Sequence, residues 1–113
     1  MLITQSESKK VQNSESCIVW EYGIPSNCVS CGKVIICGRY PETKKVMNTK
    51  CEQIYFVVSG SGIIHSEKGD FNISRDDMYF FTKGEEYWVE GNELVVLLVN
   101  APKWTPKQYQ FVD

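Results

Sequence analysis

The sequence contains one histidine, His65, among 113 residues. A small protein that gathers a metal through clustered imidazoles has almost nothing to build with here. No apolar run approaches the ~18 residues of a membrane-spanning helix. The opening MLITQSESKKVQNSES lacks the apolar centre of a signal peptide. Both absences predict a cytosolic chain with no membrane partner. Charge of one sign is also lacking: 12 Lys and Arg stand against 14 Asp and Glu, for a net −2. Lys44, Lys45 and Lys50 cluster loosely but form no basic stripe, which excludes nucleic acid as the expected partner. No segment keeps a helical period beyond two turns, and there is no internal repeat or low-complexity tract. Five cysteines cannot all pair within one chain; in a reducing compartment they read as free thiols serving as small buried hydrophobes.

What is present is a series of short apolar runs separated by turn residues. They are CIVWEY (17–22), VSCGKVIIC (29–37), QIYFVV (53–58), GIIHS (62–66), DFNIS (70–74), MYFF (78–81), EYWVE (86–90) and ELVVLLVN (93–100). Strands this short and evenly spaced predict an all-β antiparallel barrel or sandwich. Residues 1–16 are polar without a period and predict an arm or edge strand, with 17–113 forming one domain. A chain of this length buries roughly two thirds of its unfolded surface, enough for one core. In IIHSEKGDFNI a turn at Lys68-Gly69 pairs Ser66 with Phe71 and Ile64 with Ile73. Those four then share the interior face, and His65 and Asn72 point away from it. Gly60-Ser61-Gly62 reads as a tight hairpin, not as a phosphate loop, because no helix follows it.

From about residue 29 to 106, the order of strand, Gly-rich turn, strand, aromatic strand and apolar closing strand resembles the cupin superfamily of small jelly-roll barrels. That family's first motif is G-x5-H-x-H-x(3,4)-E-x6-G. Gln53 falls at its metal-binding glutamate and Gly60 at its closing glycine, while Gly38 is the best match to its opening glycine. The two histidine positions fall on Val46 and Asn48, or on Met47 and Thr49. The second motif, G-x5-P-x-G-x2-H-x3-N, lands on DDMYFFTKGEEYWVEG. There Asp76 stands for the first glycine, Thr82 for the proline, Tyr87 for the histidine and Gly91 for the asparagine, and Gly84 matches. The tail VNAPKWTPKQYQF is similar to the extended ends of small cupins. The resemblance implies a cupin-like jelly-roll barrel, and a metal that the residues here do not support: amides and a neutral phenol are weak ligands for divalent ions. Metal and other cofactors are therefore expected to be none.

If Gln53 faces inward as in cupins, alternation sends Cys51, Tyr55 and Val57 inward with it. Tyr87 and Val89 follow from a partner strand, and Trp88 faces out. Asn48, Cys51, Gln53, Tyr55 and Tyr87 are then the candidate ligand-binding residues, with Asn48 or Thr49 at the lip. Tyr87, Tyr55 and Cys51 are the candidate catalytic residues. The alternative is that Gln53 and Tyr87 bond each other and plug a filled barrel. Cys51, next to Lys50, would need a lowered pKa to act as a nucleophile; a packed small side chain is the plainer reading. Cys28 and Cys31, spaced as CVSC, lack the second pair that a structural zinc needs. Asp76, Asp77, Glu85 and Glu86 read as solvated turns. Ile54, Phe56 and Val58 form an apolar outer stripe; with Trp20, Trp88 and Trp104 also to be covered, it predicts a homodimer of the kind small cupins form.

The expected function is metal-independent binding of a small polar molecule, a carbohydrate or small carboxylic acid, inside the barrel. One alternative is a metal-independent isomerase, epimerase or lyase using the tyrosines or Cys51. The other is a regulatory or interaction domain with a filled barrel.

Overall fold

The computed structural model describes residues 1–113. Nine strands form one sheet that curls on itself: β1 (Lys9–Ser14), β2 (Cys17–Tyr22), β3 (Ser30–Tyr40), β4 (Lys45–Asn48), β5 (Glu52–Ser66), β6 (Gly69–Ser74), β7 (Met78–Phe81), β8 (Tyr87–Ala101) and β9 (Tyr109–Val112). Neighbours run β1-β2-β3-β8-β4-β9, and β5 pairs with β6, β7 and β8. All pairs are antiparallel. The architecture is an all-β antiparallel jelly-roll barrel of cupin type. The polar N-terminal stretch supplies the edge strand β1. No helix is long and apolar enough to cross a membrane.

Two pairs of expected strands are in fact continuous. QIYFVV and GIIHS join as β5, and EYWVE and ELVVLLVN join as β8, each of 15 residues. The Gly60 segment is therefore a bulged bend and not the expected hairpin: the register between β5 and β8 slips between Val57 and Ser59 and again between Ser59 and Ser61. A bulge moves the inward face by one residue. Gln53, Tyr55 and Val57 point into the core before the bend, and Ile64 does so after it. On β8 the inward set changes likewise, from Tyr87 and Val89 to Leu94 and Val96. Neighbouring strands come so close at the bend, β5 to β8 and β8 to β3, that a side chain is excluded. A Cβ on Gly60, where φ is +75°, would lie 1.9 Å from the Glu93 carbonyl oxygen, and one on Gly91 would lie 2.3 Å from that of Ile36.

The β5–β6 hairpin turns on Glu67-Lys68, pairing Ser66 with Gly69 and Ile64 with Phe71. The expected turn at Lys68-Gly69 is thus displaced, and the Ser66 hydroxyl, accepting from the Lys68 N–H at 3.1 Å, stabilises the observed one. A register slip of two residues leaves faces unchanged. Ile64 and Ile73 are buried as expected, whereas Phe71, at the open end of that face, is 39% exposed. His65 lies on the outer face, its ring stacked 3.8 Å from Trp88 and bonded to Asp70 and Glu90.

Glu85 departs furthest from the solvated acidic run expected of it. Its side chain is fully buried and accepts from the Ser66 hydroxyl (2.6 Å), the Tyr79 hydroxyl (2.5 Å) and the Thr82 N–H (2.9 Å), with Lys68 Nζ at 3.3 Å. It ties the 82–86 turn to β5 and β7. The turn before β7 depends on Asp76, which holds φ +72°, a left-handed conformation that glycine adopts freely and Asp tolerates. Burial alone would raise the Glu85 pKa, but the bonds from Ser66, Tyr79 and Thr82 and the charge of Lys68 together hold it below the ordinary 4.5. A carboxyl depressed in the folded state stabilises the fold above its unfolded pKa, and that contribution fades as pH falls through the folded value. Glu85→Gln should therefore cost about 1–3 kcal/mol at pH 7, by stranding donors that the carboxylate satisfies. The deficit should shrink toward pH 3. Urea unfolding at the two pH values measures both, and equal stability at pH 7 would contradict this role.

Candidate functional site

The inward faces of β1, β2, β3, β5 and β8, with the end of β4 and the C-terminal segment 103–111, line a half-open cavity of about 1010 Å³. Its wall includes Asn48, Gln53, Tyr55, Tyr87, Asn100 and Trp104, with Tyr40 and Tyr109 nearer the mouth. Each strand delivers these residues by alternation. Gln53 sits opposite Asn100 in the β5–β8 register and shares its face. Asn48 ends β4, beside Tyr109 of β9. The polar groups at the base of the cavity satisfy one another, including the Gln53–Tyr87 pair that a plugged barrel would require. Asn48 Nδ2 donates to Gln53 Oε1 at 3.0 Å, and the Tyr87 hydroxyl donates to the same oxygen at 3.5 Å. The Trp104 indole N–H donates to Asn48 Oδ1 at 2.8 Å, and the Tyr40 and Tyr109 hydroxyls bond each other.

Four of the five residues expected to bind a ligand share this wall. Cys51 does not reach it. Its thiol lies behind the wall, 3.8 Å from Asn100 Oδ1, and its backbone N–H donates to Gln108 Oε1 at 2.8 Å. Burial pushes the Cys51 thiol up to about 11, so Lys50 does not activate it as a thiolate. Thr49 is also off the wall, its N–H donating to the Gln108 carbonyl. Cys28 is exposed and Cys31 half-buried at the start of β3.

Sequence reasoning missed Tyr40, Asn100, Trp104 and Tyr109. Trp104 was expected to need covering on an outer sheet face, but it lines the cavity, and the other two tryptophans are covered by their own chain. Trp20 lies under Lys33 at 4.7 Å, and Trp88 is sandwiched between His65 and Arg39, whose guanidinium carbon is 3.9 Å from its centroid. Ile54 is half-buried, while Phe56, Val58, Met78, Phe80 and Leu97 remain exposed as an apolar outer patch.

The electrostatics of the wall are uniform. Burial drives the phenols of Tyr55 and Tyr87 well above their ordinary range, and neighbouring phenols add to the effect. Tyr40 is raised in the same way, and burial pushes Tyr109 to about 12. These groups are neutral at physiological pH, and the deep wall carries no Lys, Arg, Asp, Glu or His. The charged lining residues, Glu7, Lys9, Glu21, Glu42 and Lys103, are all exposed.

The cupin fold commonly holds a metal here, and the residues do not fit one. The motif positions carry Val46 and Asn48, or Met47 and Thr49, with Gln53 and Tyr87, and the Asn48 and Gln53 amide oxygens already accept hydrogen bonds. No three His, Cys, Asp or Glu side chains group closely enough to coordinate an ion.

No protein-family model matches the sequence. No curated protein is similar to it in sequence. Solved structures do share its shape. Pac13 from Streptomyces, a nucleoside dehydratase whose variants were solved with uridine, superposes with a TM-score of 0.89 at 18% identity, over 99% of this chain and 89% of that one. KdgF from Halomonas sp. gives 0.75 at 12% identity, over 92% and 96%. Ectoine synthase from P. lautus gives 0.68 at 12% identity, over 90% and 80%. At such identities the likeness speaks for the fold alone, and it establishes that this chain has the cupin fold.

Proposed function

We propose that the chain binds a neutral, ring-bearing polar molecule of the monosaccharide or nucleoside kind inside the barrel, without a metal. The observation that carries this reading is a cavity wall made of amides and aromatic faces with no charge at depth. Aromatic faces pack against sugar or base rings while amides bond to their polar edges. A carboxylic acid, the other class expected, fits less well: its anion would be buried without a cation, at several kcal/mol. Pac13, the nucleoside dehydratase of the same fold, supports a ligand of this size. The five free thiols are consistent with a reducing, cytosolic setting.

The enzyme reading is favoured by neighbours of this fold that are enzymes, with Tyr87 and Tyr55 as the natural acids. Phenols raised this far donate hydrogen bonds but do not accept a proton at neutral pH. No wall group with a pKa near neutrality stands ready as the base, and this ranks binding above acid–base catalysis. The filled-barrel reading, a regulatory or interaction domain, has the cavity against it.

Tyr87→Phe tests the role of the wall. Asn48 still satisfies Gln53 Oε1 in that variant, so the melting temperature should change little. Affinity for a bound sugar or nucleoside should fall by roughly 0.5–1.5 kcal/mol. A thermal-shift panel of neutral sugars, nucleosides and small carboxylates on both proteins is the measurement. A marked drop in ligand-free stability with no compound bound would return the wall to a purely structural role.

The metal-free reading predicts that protein purified from metal-replete medium carries far less than one Fe, Mn, Ni or Zn per chain. Elemental analysis near stoichiometry that survives mild chelation would contradict it.

A homodimer through the outer stripe of β5 and β7 is the assembly we expect, because Phe56, Val58, Met78 and Phe80 would otherwise face water together. Wild type should sediment as a dimer at micromolar concentration. Phe56→Glu should sediment as a monomer, since an unpaired charge in that interface costs on the order of several kcal/mol. A monomeric wild type would refute the interface.

A further inference from the structure

The indole of Trp104 is a donor with no acceptor on its nitrogen, and this single fact propagates through the cavity wall. Its N–H meets Asn48 Oδ1 at 2.8 Å, which orients the Asn48 amide with Nδ2 toward Gln53. Nδ2 donates to Gln53 Oε1 at 3.0 Å, and the Tyr87 hydroxyl donates to that same oxygen. Gln53 therefore spends its acceptor on the protein. Its Nε2 group makes no hydrogen bond within the chain. Gln53 is only 5% exposed and lines the cavity, and no fully buried side-chain nitrogen or oxygen lacks a partner. The accessible part of Gln53 is thus its NH2 group, aimed into the cavity.

The opposite polarity is disfavoured at every step. Turning Gln53 alone sets its NH2 against the Asn48 NH2. Turning both amides sets the Asn48 NH2 against the indole N–H. Each places two donors face to face in a site shielded from water, where unmet polar groups are costly.

We propose that Trp104 is a positioning residue which, through Asn48, locks Gln53 to present N–H donors and not a carbonyl, so that the site selects ligands carrying a hydrogen-bond acceptor at this depth. The inference rests on the cavity being a ligand site. It narrows that reading from neutral polar molecules to those with a carbonyl or ether acceptor facing Gln53. An isostere with an amino group there meets donor with donor and is rejected, in the way that sites built to hydrogen-bond a substrate reject analogues lacking the group.

Uridine and cytidine are suitable probes, because they share size and neutrality and present opposite polarity along one ring edge: a carbonyl beside a ring N–H in uridine, an amino group beside a bare ring nitrogen in cytidine. Calorimetric titration should show wild type binding uridine on the order of tenfold more tightly than cytidine. Trp104→Phe keeps the aromatic face but removes the donor, freeing both amides to turn; the preference should fall to within about threefold, the loss of roughly one oriented bond. Asn48→Asp replaces the donor facing Gln53 with an acceptor, draws the NH2 group toward it and turns Oε1 to the cavity, so the preference should invert. An unchanged ratio in both variants, or a wild type that favours cytidine, overturns the proposal. If wild type binds neither nucleoside at millimolar concentration, the nucleoside reading fails while the relay is still decided by side-chain amide exchange in the ligand-free protein. The Asn48 amide protons should then exchange far more slowly than those of Gln53, and lose that protection in Trp104→Phe. Equal exchange of the two amides in wild type refutes the relay. Should one variant fail to fold, judged by its melting transition, the other and the wild-type exchange measurement carry the test.

Discussion

The pairing of β5 with β8 is the constraint on which the rest of the structure depends. Each strand runs 15 residues and passes from one side of the barrel to the other, paired from Glu52–Ala101 to Ser66–Tyr87 with two register slips between. A flat ribbon of that length could not close around a core; the bulges at Ser59 and at Gly91–Glu93 bend it. The bend also resets alternation, so both halves of each strand point their apolar residues inward. Gln53, Tyr55 and Asn100 lie on one side of the bend, and Tyr87 and Val89 on the paired stretch beyond it. This strand pair supplies the base of the cavity wall, which β1, β2, β3, β4 and the C-terminal segment complete.

That geometry explains what could be read from the residues and what could not. Alternation within QIYFVV correctly puts Gln53, Tyr55 and Val57 inside, because period-2 reasoning is safe across an uninterrupted stretch. It fails at Gly60-Ser61-Gly62, where the composition of a turn serves a bulge instead. Glycine is demanded there by the Glu93 carbonyl 1.9 Å from a would-be Cβ, a neighbour 33 positions away that no local pattern reveals. Asn100 had a signal that only register could expose, since it faces Gln53 across the ladder. Trp104 had none: a tryptophan in a Pro-rich tail reads equally as an outer apolar residue until the tail is seen to fold across the cavity. Glu85 was hidden by its own context, a Lys-Gly-Glu-Glu run that looks like a solvated turn. Only the fold brings Ser66, Tyr79 and Lys68 around it.

Charge is distributed to suit the division between wall and surface. The one deeply buried carboxylate, Glu85, is kept ionised by donors and lies outside the cavity, where it secures the turn leading into β8. The histidine is used on the outer face, between two carboxylates and stacked on Trp88. Neither side chain reaches the interior, where burial drives the phenols well above their ordinary range and the amides do not titrate. A site of this composition discriminates by shape and by the direction of hydrogen bonds, not by attraction between charges.

A metal centre and a hydrogen-bond relay solve the same packing problem in different ways. In a metal-holding cupin the inward polar groups are satisfied by the ion, and losing one ligand leaves the others facing a charge they no longer balance. Here the groups at those positions satisfy each other, and Val46, 0% exposed, closes the place of a ligand with an apolar side chain. Such a relay has a direction that a metal lacks, because each amide has one donor end and one acceptor end. Direction must be set by a group that cannot reverse, and among Trp104, Asn48, Gln53 and Tyr87 only the indole N–H is fixed as a donor. Every amide orientation downstream of it follows, down to the NH2 group that Gln53 offers to the cavity. Under the proposed ligand reading, the departure from the metal motif exchanges coordination geometry for hydrogen-bond polarity as the source of specificity.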